Sequence, residues 1–387
     1  MKYLLIVIIS ALIIVGCSEQ PVTEKTFDRI AVLQKKYAPD KRTAVFTIRT
    51  YERGNELVVA GDVERQEAKD EILKLLTEQD KNVVDSIMVL PDERLGEKKW
   101  GIITVSVANM RSDPGEDAEL SSQVLMGSVV KILKKKGGWV YIQSADKYLG
   151  WADPDQMIRV SESSAKEWIN TKRVFVTSFV GSVLQKPEPQ SFPVCDITGG
   201  AVLKDLGTSG EWTKVGLADG RTGFLPRNSV IDYALWGRTL TPVPDNIERT
   251  GKFLLGVPYL WGGTSPKGVD CSGFTRTVFL LNGQQLNRDA NQQAEQGEEV
   301  EPGSEFQNLR KGDLLFFGRK ADGKKPERIV HVGIYLGGRQ FIHSSGKVRI
   351  NSFDPASPIY DEPDLRRFVR ARRVIASAPQ VAEVKTK

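Results

Sequence analysis

The chain contains two histidines, His331 and His343, so any imidazole chemistry must use them. Upstream lies Asp270-Cys271-Ser272-Gly273, followed by Phe274, Val278 and Leu281 at helical spacing. This pattern predicts a helix opening at Cys271. Free N–H groups and the positive end of the helix dipole favour a thiolate there, and a lowered thiol pKa makes cysteine a nucleophile. A buried structural cysteine would not need Asp and Ser on either side. A disulfide to Cys195 is the other alternative, and no spacing forces that pairing. A metal site rivals catalysis for a histidine pair, but zinc takes three or four ligands and no carboxylate spacing completes the set. Two histidines downstream of a helix-opening cysteine point to nucleophilic catalysis. One takes the thiol proton and returns it to the leaving group. The other bonds the far ring nitrogen and fixes tautomer and orientation.

Such a division of labour needs both imidazoles on one face of a sheet. Gly312-Asp313 opens a strand from Leu314 to Phe317, and a hairpin follows from Ile329 to Leu336 and from Arg339 to Ser345. A strict two-residue turn at Gly337-Gly338 pairs Val332 with His343 and puts the histidines on opposite faces. A three-residue loop, Gly337-Gly338-Arg339, pairs Leu336 with Gln340 and Gly333 with His343. The histidines then share a face, one diagonal apart, with open space at Gly333. The three-residue loop is therefore predicted.

Ahead of this region the sequence repeats itself at an offset of 73 residues. Gly127, Val129, Lys131 and Leu133 recur as Gly200, Val202, Lys204 and Leu206, and Gly137, Trp139, Asp146 and Gly150 as Gly210, Trp212, Asp219 and Gly223. Short apolar strands broken by Gly, Asp and Pro predict a small all-β barrel for each copy, at 98–162 and 170–236, joined by a helical spacer around Ala165–Trp168. Shared positions read as core and turns, whereas differing positions are where the copies can take separate jobs. Tyr148 matches Arg221, and Asp113 matches Lys186. Tyr148, an aromatic with a polar tip beside a shared turn, is the better candidate for ligand contact.

Tyr259-x-Trp261-Gly262-Gly263, Asp270-Cys271-Ser272-Gly273-Phe274, Gly312-Asp313-Leu314 and His331-Val332-Gly333-Ile334-Tyr335 with His343 resemble the NlpC-type papain-like cysteine peptidases across 245–375. The repeat resembles the bacterial SH3-like domain. The combination looks like the gamma-D-glutamyl-L-diamino acid endopeptidases, or dipeptidyl-peptidases VI. The resemblance implies Cys271 as nucleophile, His331 as base and His343 as its orienter, with the Cys271 N–H and the Tyr259 hydroxyl holding the oxyanion. It implies Asp270 and Ser272 at the L-Ala-D-Glu end of a cell-wall peptide, Trp261 as a wall, and Tyr148 lining a pocket for a free N-terminal amine. Asp113 is a further acceptor candidate. Relatives often carry Ser or Thr in the segment matching Arg288-Asp289-Ala290, and Ala290 lacks that hydroxyl. No cofactor or metal is implied. The partners are peptidoglycan-derived peptides.

The expected fold is thus multidomain: a small α+β N-terminal unit, two all-β SH3-like barrels and a C-terminal α+β papain-like domain. Length alone, 387 residues at about 150 per domain, suggests two to three domains, so four units must each be small. An apolar run from Tyr3 to Val15 is too short for a transmembrane helix and suits a signal-peptide core. Ile14-Val15-Gly16-Cys17 resembles a lipobox, which implies a signal at 1–16, lipidation of Cys17 and membrane attachment outside the cytoplasm. Ser18 favours the periplasmic face of the outer membrane. Residues 17–42 read as a polar tether, 43–95 as a small ββαβ unit, and 376–387 as a loose tail. A net charge of +5 is too diffuse to imply nucleic acid. The arginines from Arg366 to Arg373 read as a solvated edge strand. Other readings are hydrolysis of intact wall, or wall-peptide binding without catalysis, against which the complete Cys/His/His set argues.

Overall fold

The computed structural model describes residues 24–78 and 82–375. The expected signal at 1–16, the lipidation site Cys17 and the tail 376–387 lie outside the described residues. The described chain divides into two compact units with the break after Leu90.

The first unit contains α1 (Glu24–Tyr37), β1 (Phe46–Arg53), β2 (Glu56–Val63), α2 (Gln66–Thr77) and β3 (Asn82–Val89). A tight turn makes β1 and β2 antiparallel, whereas β2 and β3 run parallel because α2 supplies the crossover that parallel pairing requires. Ala68, Ile72, Leu75 and Leu76 form the buried stripe of α2. The stretch read as a tether is instead largely α1. Its polar composition hides Ile30, Leu33 and Tyr37, which recur at helical spacing and pack into the same core.

The second unit begins with two β domains. The first consists of β4 (Trp100–Ile103), β5 (Val107–Arg111), β6 (Leu120–Leu125), β7 (Val129–Lys136), β8 (Trp139–Gln143), β9 (Leu149–Ala152) and β10 (Met157–Val160). After α3 (Glu162–Asn170) comes the second: β11 (Arg173–Val176), β12 (Val180–Leu184), β13 (Pro193–Thr198), β14 (Val202–Ser209), β15 (Trp212–Gly216), β16 (Thr222–Pro226) and β17 (Val230–Asp232). The sheet orders β10-β4-β7-β8-β9-β5-β6 and β17-β11-β14-β15-β16-β12-β13 are the same topology, as the repeat demands. Neither ladder closes on itself; each is a seven-stranded SH3-like sheet with two ends. The domains meet at the repeated glycines. Gly127 has a φ of +80°, and a Cβ there would fall 1.7 Å from the Val202 carbonyl oxygen. Trp168 of α3 donates to the Gly127 carbonyl at 2.8 Å and locks the joint.

The last domain comprises α4 (Pro244–Phe253), the small hairpin β18 (Thr264–Ser265) and β19 (Gly268–Val269), α5 (Cys271–Leu280), α6 (Ala290–Gln293), β20 (Glu298–Val300), β21 (Leu314–Arg319), β22 (Arg328–Gly337), β23 (Gln340–Ser345), β24 (Lys347–Ser352), α7 (Glu362–Arg367) and β25 (Phe368–Arg373). Its sheet has the order β20-β25-β21-β22-β23-β24, and α5 lies against β22 and β23. Phe274, Val278 and Phe279 of α5 meet Leu314, Phe316, Val332, Ile334 and Ile342 in the core. The arginine-rich strand is not an edge. The short acidic β20 covers it, and Arg370, Arg372 and Arg373 pair with Glu327, Glu299 and Asp313.

Candidate active site

Helix α5 starts at Cys271 because Asp270 caps it. One Asp270 oxygen accepts from the Gly273 N–H at 2.7 Å and the Ser272 hydroxyl at 3.1 Å. The other accepts from the Gly262 N–H at 3.1 Å. Gly273 lies so near Gly263 that a Cβ would sit 1.9 Å from its carbonyl oxygen, so the final glycine of the motif is a packing requirement. Buried Arg288 grips the same corner, with Nη2 at 2.6 Å from Asp270 and Nη1 at 3.0 Å from the Ser272 hydroxyl. Asp270 and Ser272 are therefore buried and engaged with a guanidinium. Arg288 lies 18 residues from Asp270 in the chain, so no local spacing marks this part.

The histidines do share a face, by a different route from the one predicted. Gly333 pairs with His343 as expected, but Gly337 pairs with Gln340 across a two-residue turn. Gly338 and Arg339 both have positive φ there, the geometry of a type I′ turn. Leu336 is the bulge that absorbs the offset. In strict register this turn would send the two rings to opposite faces. His331 Nε2 lies 2.8 Å from Nδ1 of the fully buried His343. Asp364 Oδ2 is 3.5 Å from the same Nδ1, and the ligand-type atoms of His331, His343 and Asp364 lie within 4.8 Å of one another. The ring-to-ring hydrogen bond already occupies the nitrogens that would face an ion, and Arg367 holds Asp364.

The electrostatics reverse one expectation. Burial, with Asp270 adding to it, pushes the Cys271 thiol up to about 12. The N–H groups of Val332 and Ser272 act in the opposite direction and do not prevail. Burial, with repulsion of a second charge beside His343 and the Arg367 guanidinium adding to it, lowers His331 to about 3. The resting pair is therefore neutral thiol and neutral imidazole: desolvation of the charged forms outweighs the helix dipole. Burial also pushes Tyr259 up to about 12, with Cys271 and Asp270 contributing, so its phenol stays a donor. Its hydroxyl makes no hydrogen bond to another described residue.

The first β domain contributes several side chains to this region. Glu119 accepts from Trp261 Nε1 at 2.6 Å, although the Trp261 ring is 60% exposed. Gln123 accepts from the Thr264 N–H at 2.9 Å. Asp146 pairs with Arg276 of α5. Burial disfavours the Asp146 carboxylate, but Arg276 and the Ser144 hydroxyl outweigh it and hold its pKa low. Tyr148 is buried and donates to Asp289 at 3.1 Å. Asp113 stands exposed in the loop after β5 and makes no hydrogen bond or ion pair among the described residues. Ala290 is buried at the start of α6, behind the Asp289–Gln292 capping box.

The profile of the NlpC/P60 family matches residues 256–370, a span that holds Cys271, His331 and His343. That of the bacterial dipeptidyl-peptidase SH3 domain matches 110–157, which holds Glu119, Gln123, Asp146 and Tyr148. A gamma-D-glutamyl-L-lysine dipeptidyl-peptidase of Bacillus cereus is 31% identical over 234 residues, 58% of this chain and 67% of that protein. The chain belongs to the NlpC/P60 family. Dipeptidyl-peptidase 6 of Lysinibacillus sphaericus is 29% identical over 280 residues, covering 70% of this NlpC/P60 chain and 97% of the relative. The crystal structure of an NlpC/P60 family protein from Bacillus cereus superposes with a TM-score of 0.61 at 26% identity, over 71% of this chain and 99% of that one.

Proposed function

We propose that the chain is a cysteine peptidase that hydrolyses the γ-D-glutamyl–diamino acid bond of peptidoglycan-derived peptides bearing a free N-terminal L-Ala. The observation that carries this reading is the 2.8 Å bond between His331 and buried His343 on the strand pair facing a helix-opening cysteine. The names of the relatives support the substrate class. Cys271 Sγ attacks the γ-carbonyl carbon while His331 takes the thiol proton, so no free thiolate need accumulate. The Cys271 N–H and the Tyr259 hydroxyl hold the oxyanion. His331 returns the proton to the departing amine, leaving a thioester. Water then attacks with His331 as base and releases the acid and the thiol.

In this reading Tyr148 and Asp289 line the subsite for the terminal ammonium, and Trp261, steadied by Glu119, forms a wall. Asp270, Ser272 and Arg288 shape the floor. An acylated amine loses its charge and gains bulk, which a closed polar subsite rejects. Mass spectrometry of products from murein tripeptide, with and without an acetylated L-Ala, tests the proposal. Cleavage of the free-amine peptide alone supports it, and equal cleavage of both, or of intact wall in preference, overturns it. We also propose attachment through lipidated Cys17 at the periplasmic face of the outer membrane, supported by the lipobox-like residues. A Cys17→Ser variant that fractionates like its parent would refute that.

A further inference from the structure

The two imidazoles need one particular proton arrangement, and residues outside the Cys/His/His set decide it. His331 spends Nε2 on His343, so only Nδ1 is left to take the thiol proton. Nδ1 must then be bare, which puts a proton on His331 Nε2 and requires a lone pair on His343 Nδ1. His343 must therefore carry its own proton on Nε2. Two groups contest that nitrogen. Asn351 Oδ1 lies 3.3 Å away and asks for a proton, whereas Arg349 Nε lies 3.4 Å away and asks for a lone pair. If Arg349 wins, His343 donates from Nδ1, His331 holds its proton on Nδ1, and the base is blocked.

We propose that Asn351, aimed by Asp361, selects the reactive tautomer of the histidine pair and is a positioning residue for the peptidase reaction. A carboxylate accepts and cannot donate, so the Asn351 atom 2.6 Å from Asp361 Oδ2 is its NH2 group. The Asn351 oxygen must then face His343. Asp361 is itself held: its N–H bonds the Ser352 carbonyl at 2.9 Å, and its other oxygen caps α7 at the Asp364 N–H at 3.0 Å. The pairing of β23 with β24 puts His343 opposite Arg349, with Asn351 on the same face one diagonal away. Arg349 is exposed, so water can satisfy its N–H at small cost, whereas Asn351 is partly buried and has fewer alternatives. Asp364 would favour a proton on Nδ1, but Arg367 neutralises it. Burial keeps both imidazoles neutral, so the choice of tautomer is a real one.

This inference rests on the proposed role of His331, and its test separates the two. With two histidines in the chain, 15N-histidine labelling of the full protein yields one signal set for each ring. The parent should show both rings protonated at Nε2 and bare at Nδ1. Asp361→Asn keeps the helix cap, because Asn caps as well as Asp, but can donate to Asn351 and turn it over. It should shift His343 toward Nδ1–H and lower kcat about tenfold with KM unchanged. Asn351→Ala should do more of both, and adding Arg349→Ala should return Nε2–H and part of kcat. Nδ1–H on His343 in a parent that turns over the tripeptide, or a kcat loss with unaltered tautomers, overturns the inference, while the turnover itself upholds the peptidase reading. A parent with the expected tautomers and no turnover would refute that reading instead.

Discussion

The two β domains have one topology and one set of shared residues, yet only the first reaches the candidate active site. Their equivalent positions have diverged in partner. Asp146 of the first pairs with Arg276 of α5, whereas its counterpart Asp219 pairs with Arg221 of its own domain. Glu119 holds Trp261, but its counterpart Phe192 is 78% exposed. Gln123 bonds Thr264 beside the site, whereas its counterpart Asp196 pairs with Lys267 and accepts from Ser106, tying the three domains together. Tyr148 reaches Asp289, whereas Arg221 turns to the Thr104 carbonyl at the joint. A duplicated scaffold thus separates into a copy that contributes side chains to the candidate active site and a copy that braces the domains around it. The strand order and the shared Gly and Trp positions are kept, while side chains at strand ends and turns have changed partners.

Helix α5 touches both copies, and its first residue sets the scale for breaking the comparison. Cys271→Ala should abolish turnover while the chain still folds, and residual cleavage of the tripeptide would remove the nucleophile from the scheme. Next comes the ion pair at Asp146. Removing one partner of a buried pair costs about 3 kcal/mol, so Asp146→Asn should lower stability by roughly that amount. Asp219→Asn, at a more exposed pair, should stay within about 1 kcal/mol. Chemical denaturation of both variants decides, and equal losses would mean that the copies are not differently loaded. Since the Asp146 pKa is held low, its contribution is present above the ordinary aspartate pKa near 3.9 and is lost as pH falls below it.

Removal of the Tyr148 hydroxyl is a smaller change and sharpens the specificity side. Tyr148→Phe should lower kcat/KM on free-amine tripeptide about tenfold and narrow the preference over the acetylated form. Arg221→Ala should do neither, and matching effects would reduce the first domain to a spacer. The smallest effect concerns the two described thiols, Cys195 in the bracing copy and Cys271, both free. Burial raises both pKa values, and Cys271 the further, to about 12. A raised pKa means less thiolate at a given pH, so iodoacetamide at pH 9 should alkylate Cys195 before Cys271. Faster labelling of Cys271 would show that its resting form is a thiolate.

Much of this was legible because it is local or arithmetic. A helix start is written in Asp270-Cys271-Ser272-Gly273 and duplication in an offset repeat, and the chemistry of a histidine pair calls for a shared face. Tertiary structure decided what depends on neighbours distant in the chain. The bulge at Leu336, rather than a longer loop, sets the hairpin register, because a ladder can absorb one residue at a place that the pattern does not mark. The polar stretch before residue 42 became α1 once a core existed for Ile30. Arg288 behind Asp270, and Asp361 and Asn351 behind His343, come from separate elements, and no spacing announces such partners. The protonation of Cys271 also belongs here. A helix N-terminus can be read from four residues, but desolvation depends on everything packed around the thiol, and burial is the stronger effect.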